Sequence, residues 1–68
     1  MAVNNRLKTF RHKHEMNQKE FADFLNVNQS QYNRYERNTI QPTLEIALKI
    51  SDRLDRAVND IFYLTDKS

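Results

Sequence analysis

From Met16 to Glu36 the chain reads MNQKEFADFLNVNQSQYNRYE, and the placement of its asparagines decides the fold. A helix start leaves backbone N–H groups without partners, and a short polar side chain just ahead of the helix can accept from one of them. Asn17 is such a residue. Glu20 follows three positions later and Met16 and Phe21 flank the cap, a pattern that predicts a capping box with a hydrophobic staple. The same grammar returns at Asn28, with Gln31 three positions on and Val27 and Tyr32 as the flanking pair. One helix should therefore cover Gln18 to about Leu25 and a second Gln29 to about Arg37. Asn26 falls just past the first, where a left-handed residue is wanted and asparagine substitutes for glycine. Only Asn26, Val27 and Asn28 separate the two helices, and so short a connection forces the steep crossing of a helix-turn-helix.

Outward from this unit, Val3, Leu7, Phe10 and His14 recur at spacings of four, three and four, one face of a helix covering roughly residues 5–14. Gln41-Pro42-Thr43 marks a boundary, because Pro42 disfavours helical geometry at Gln41 and Thr43 can cap a helix beginning at Leu44. From Leu44 to Leu54, the residues Leu44, Ile46, Ala47, Leu48, Ile50 and Leu54 are apolar on more than one face, which predicts a fourth helix at the buried centre of the domain. A short fifth helix, about Val58 to Phe62, should close the core. The expected fold is all-α: a compact five-helix bundle in one domain over residues 1–68, with the helix-turn-helix at 17–37 and a core- and dimer-forming part at 44–64.

Composition excludes several functions. The 68 residues contain no cysteine and no glycine, which removes disulfides, thiolate metal sites and nucleotide-binding glycine loops. No long apolar run opens the chain, so neither a signal peptide nor a membrane span is expected, and a soluble, cytoplasmic, nucleoid-associated protein is the default. His12 and His14 lie two apart, face different directions and lack a third ligand, so no metal is expected. Asp52, Asp55 and Asp60 have neither nucleophile nor oxyanion donor beside them, so no catalytic residues, enzyme activity, cofactor or small-molecule ligand is expected.

Charge is unequally divided. Residues 1–41 carry seven basic and four acidic side chains, residues 42–68 four and five. The basic half holds the helix-turn-helix, and along its second helix Gln29, Ser30, Asn33, Arg34 and Arg37 should project outward while Tyr32 and Tyr35 point in. Glutamine, asparagine and arginine are the side chains able to make paired hydrogen bonds to base edges in the major groove.

With these residues in place, Met16 to Glu36 followed by PTLEIALKISDRL, Pro42 to Leu54, resembles the Cro/CI-type (xenobiotic response element, Xre) helix-turn-helix family of bacterial and phage transcriptional regulators. The resemblance extends from about Leu7 to Tyr63. It implies a lambda-repressor-like domain that binds double-stranded DNA as a homodimer on a near-palindromic operator. Carried over by position, Gln29 reads adenine, discriminating by about 1 to 3 kcal/mol, and Gln18 braces it and reaches the DNA backbone. Ser30, Asn33 and Arg34 match the other base-facing positions, with Arg34 suited to guanine. Asn17, Gln18, Asn28 and Thr43 open helices whose amides face phosphates, and Arg37, Asn38 and Thr39 lie on the loop that approaches the backbone. Arg11 and Glu36 match a structural ion pair. The family often has glycine where Asn26, Asn38 and Asp55 stand, which puts the turn at Asp55-Arg56-Ala57 in question.

The apolar run Ile61-Phe62-Tyr63-Leu64 is unusual this close to residue 68. Ile61 and Phe62 are accounted for by core closure, whereas Tyr63 and Leu64, with residues 1–3, are expected to form a dimer contact or a short extended pairing of the termini. The combined reading is a DNA-binding repressor. Two rivals accompany it: an antitoxin-type regulator of a toxin-antitoxin operon, and a protein-interaction module that uses the same fold.

Overall fold

Asparagine and threonine caps start three of the helices. In the computed structural model, which describes residues 1–66, the Asn17 side chain accepts from the Glu20 amide at 2.8 Å and the Glu20 carboxylate accepts from the Asn17 amide at 2.9 Å. This closed capping box opens α2 (Gln18–Leu25). Asn28 Oδ1 accepts from the amides of Ser30 and Gln31 and opens α3 (Gln29–Glu36). No reciprocal bond from Gln31 completes a second box among the described residues. Thr43 caps α4 (Leu44–Leu54) through the Ile46 amide. Asn26, at φ 60°, ends α2 in the left-handed region, and Asn38 and Asp55 adopt the same region at φ 63° and 54°, as asparagine and aspartate can do locally.

The remaining elements are β1 (Ala2–Asn5), α1 (Leu7–Lys13), α5 (Val58–Ile61) and β2 (Phe62–Thr65). The strands form one antiparallel pair in which Ala2 faces Thr65 and Asn5 faces Phe62. The fold is thus five helices with a short pairing of the terminal segments. Val3 lies in this ribbon and not on a helical face, so α1 begins at Leu7, two residues later than its spacing predicted; Phe62 likewise leaves α5 and starts β2. The last two residues of the expected span lie outside the described residues.

The core gathers Leu7 and Phe10 from α1, Phe21, Ala22 and Leu25 from α2, Tyr32 and Tyr35 from α3, Ile50 and Leu54 from α4, and Ile61 from α5. Phe21 meets Tyr32 edge-on at 5.7 Å between ring centres, a favoured aromatic geometry. Met16 and Val27 pack against this cluster as the staple positions require.

The fourth helix departs from its expected place. Ile50 and Leu54 are buried and Ile46 half-buried along one stripe, but Leu44 and Leu48 are 75% and 53% exposed. Leu48 is two residues from Ile50 and so on the other side of a 3.6-residue turn. The helix is therefore two-sided, one apolar stripe on the core and the other facing out. Arg53 fixes its inner side by donating from Nε to the Phe24 carbonyl at 2.8 Å while lying over the Phe24 ring.

Candidate nucleic-acid interface

The helix that could enter a groove is held from beneath along its C-terminal half. At its C-terminal end sits Glu36, with a side chain 6% exposed, paired with Arg11, 13% exposed. The carboxylate is saturated: Oε1 accepts from Arg11 Nη2 and Gln18 Nε2, each at 3.1 Å, and Oε2 accepts from Arg11 Nε at 2.9 Å and from the Tyr32 hydroxyl. Arg11 Nη1 donates onward to the Met16 carbonyl at 3.2 Å. One carboxylate thus ties α1, the start of α2 and two turns of α3 together. Burial pushes the Glu36 carboxyl up, but hydrogen bonds from Arg11, Tyr32 and Gln18 and the Arg11 charge outweigh it and hold it below the usual carboxylate range. Burial and the bond to Glu36 push the Tyr32 phenol well above its ordinary value, and the bond to Glu36 raises the Arg11 guanidinium.

With Tyr32, Tyr35 and Glu36 turned inward, the opposite side of α3 is polar and open. Gln29, Ser30 and Arg34 are exposed, and Arg37 continues the face past the helix end. Asn33 sits at the margin. It is half-buried, and its Oδ1 is shielded from solvent without a hydrogen-bond partner among the described residues, so its amide nitrogen is the end available to an outside acceptor. Gln31, in contrast, lines the cleft between α3 and α4 with Val27, Ile46 and Lys49.

The residues expected to meet phosphates have diverse placements. The side chains of Asn17, Asn28 and Thr43 are occupied as helix caps, which leaves the first backbone amides of α2, α3 and α4 as the donors at those points. Gln18 donates to Glu36 and makes no bond to Gln29. Asn38 donates from Nδ2 to the Val3 carbonyl at 3.0 Å, and the Thr39 hydroxyl donates to the Arg34 carbonyl at 3.2 Å. Arg37 is exposed, its guanidinium unbonded among the described residues. Open amides beside exposed cations suit a phosphate backbone.

A family model described as helix-turn-helix matches residues 7–61, which spans α1 through α5 and includes the whole of this surface. The chain belongs to the Cro/CI-type (Xre) helix-turn-helix family. This is a family of non-enzymatic DNA-binding domains. A solved protein of Bacteroides fragilis, provisionally described as DNA-binding, superposes with a TM-score of 0.74 over 90% of this chain and 98% of its own, at 18% identity. At that identity the likeness is one of fold. No curated protein matches the chain.

Two residues of this Cro/CI-type domain that support the interface escaped the sequence reading. Asn5 donates from Nδ2 to the Tyr35 carbonyl at 2.8 Å and accepts from the Leu7 amide at 3.0 Å, joining the start of α1 to the end of α3. Gln41 donates to Asn38 Oδ1 at 2.9 Å and so steadies the loop after α3. Neither has a local signature, because each acts across thirty residues or on a loop without periodicity. Among the described residues no three His, Asp or Glu side chains group as a metal site would need, and no helix is long and apolar enough to cross a membrane.

Proposed function

We propose that this domain is a sequence-specific transcriptional regulator in the cytoplasm, a homodimer that reads a near-palindromic operator in double-stranded DNA and acts as a repressor. The observation that carries the reading is the division of α3 into an anchored side, Tyr32, Tyr35 and Glu36, and an open polar side, Gln29, Ser30 and Arg34. In this reading Gln29 addresses adenine and Arg34 guanine, Ser30 and the amide nitrogen of Asn33 add single contacts, and the base edges supply the specificity. The open amides at the starts of α2 and α3 and behind Thr43, with Gln18, Arg37 and the Asn38–Thr39 loop, address phosphates.

Dimerisation is supported by apolar surface that a monomer leaves wet. Leu64 is 64% exposed, close to a cleft lined by Val3, Phe62 and Tyr63. Leu44 and Leu48 add a second apolar patch. Contiguous apolar exposure of this kind marks contact sites. Tyr63 contributes less than Leu64, because its ring already carries the Arg6 guanidinium at 4.1 Å. A two-fold dimer places two copies of α3 about one helical turn of DNA apart.

The test is selection of bound duplexes from a random pool, followed by titration of the recovered sequence across salt. A palindromic consensus should emerge, with affinity falling about 10³- to 10⁵-fold between roughly 50 and 200 mM salt if six to ten phosphates are neutralised. Failure to enrich any sequence would favour a protein-interaction module.

A further inference from the structure

We infer that Glu36 is a positioning residue for DNA recognition: its carboxylate fixes which way the side-chain amide of Gln18 points at the start of α2. The inference rests on the proposed DNA binding and adds a residue that itself faces no DNA. A glutamine amide can ordinarily be turned end for end, since its oxygen and nitrogen differ little in shape. Here the choice is forced. An ionised carboxylate can only accept hydrogen bonds, and Glu36 is kept ionised by a two-point bond from Arg11. Gln18 must therefore aim its NH₂ group at Glu36, as the 3.1 Å contact shows. One N–H is consumed and the second stays free in the same rigid plane. Among the described residues Gln18 Oε1 has no partner, and it is not shielded from solvent.

Gln18 is also the first residue of α2, beside helix amides that have no acceptor of their own. A phosphate seated there takes the helix amides together with the second N–H of Gln18. Were the side chain free to rotate, its oxygen could face the phosphate instead, and two acceptors would meet. Glu36 prevents this by occupying the inward side. Its other partners are Arg11, which can only donate, and the Tyr32 hydroxyl, which gives its proton to Glu36.

The experiment is a double-mutant cycle on the duplex recovered by selection, using Glu36→Gln, Gln18→Ala and the pair. Glu36→Gln should weaken binding about tenfold in the Gln18 background and less than about twofold in the Gln18→Ala background, the pattern of residues acting as one unit. Equal losses in both backgrounds, or none in either, would overturn the inference. If Glu36→Gln does not fold, Arg11→Met/Tyr32→Phe/Glu36→Met removes the anchor without leaving a lone charge and enters the same cycle. A second readout needs no DNA. In the free protein the Nε2 proton of Gln18 bonded to Glu36 should lie downfield in the NMR spectrum of its position in a solvent-exposed glutamine amide, and it should return to that position in the variant that lacks the carboxylate. A wild-type spectrum without that downfield shift overturns the orientation. A wild type that shows it and binds no duplex at low salt overturns the proposed function, and with it the role of Glu36, while the orientation stands.

Discussion

Replacing Arg11 by methionine keeps most of the side-chain volume and removes every donor that Arg11 offers. Glu36, 6% exposed, then retains only Tyr32 and Gln18 as partners. Removing one member of a buried pair costs about 3 to 5 kcal/mol, because the remaining charge is left uncompensated. At roughly 0.05 to 0.15 kcal/mol per residue a chain of this length has about 3 to 10 kcal/mol in total, so Arg11→Met should remove a third of the stability or more. Urea denaturation followed by far-UV circular dichroism reads this directly. With a slope near 1 kcal/mol per molar, the midpoint falls by about 3 M or the variant is unfolded without urea. Acid supplies an internal control. In the wild type the Glu36 carboxyl lies below its unfolded value, so its contribution is complete above the ordinary carboxylate range and is lost as pH falls through the depressed folded value. In Arg11→Met the two contributions of Arg11 that lower the carboxyl are gone while burial still raises it, so the folded value moves upward and less stability is lost as pH falls. The gap between the two proteins must therefore narrow as pH falls through and below the ordinary carboxylate value of about 4. A loss below about 1 kcal/mol, the scale of an exposed pair, or a gap indifferent to pH, would refute the buried-carboxylate account.

Other perturbations address separate parts of the molecule. Asn17→Ala opens the capping box and should cost about 1 kcal/mol in the same denaturation assay. Asn26→Ala places a β-carbon in the left-handed region and should cost about 1 to 2 kcal/mol, with Asn26→Gly close to neutral. In binding assays Gln29→Ala should relax preference at one adenine by about 1 to 3 kcal/mol, whereas Arg37→Ala should weaken all sequences alike and lower the salt slope by about one. Leu64→Asp should convert the proposed dimer to monomer in sedimentation at micromolar concentration; an unchanged association state would remove Leu64 from the contact.

The parts of this fold legible in the sequence are those governed by neighbours. Asn17 and Asn28 announce α2 and α3 because a cap bonds to amides two or three residues away, and Asn26 announces the end of α2 because few residues accept a left-handed backbone. The burial of Tyr32 and Tyr35 follows from helical spacing. The terminal segments were harder. Val3 sits four residues before Leu7 and mimics a helical face, although the strand it occupies is set by a partner at the far end of the chain. Leu44 and Leu48 raised the apolar content of α4 without lying on its buried stripe, a distinction that depends on where α2 and α5 pack. In the interface, Arg11 and Glu36 came from family resemblance and not from spacing. The resemblance paired Gln18 with Gln29, whereas Gln18 donates to Glu36, a partner set by how α2 and α3 cross.

The ribbon that joins β1 to β2 closes nearly the entire chain into one loop, for few backbone bonds. Loop entropy makes such a closure late in folding and early in native-state opening, and the helices, whose contacts are mostly local, need not open with it. Asn38 and Gln41 both reach the Val3 carbonyl, so opening of the ribbon would release two of the side-chain bonds that hold the segment after α3. Amide exchange in that segment should therefore keep time with exchange in the ribbon, faster than in α2, which links the chain's most entropically expensive contact to the mobility of a loop at the proposed DNA surface.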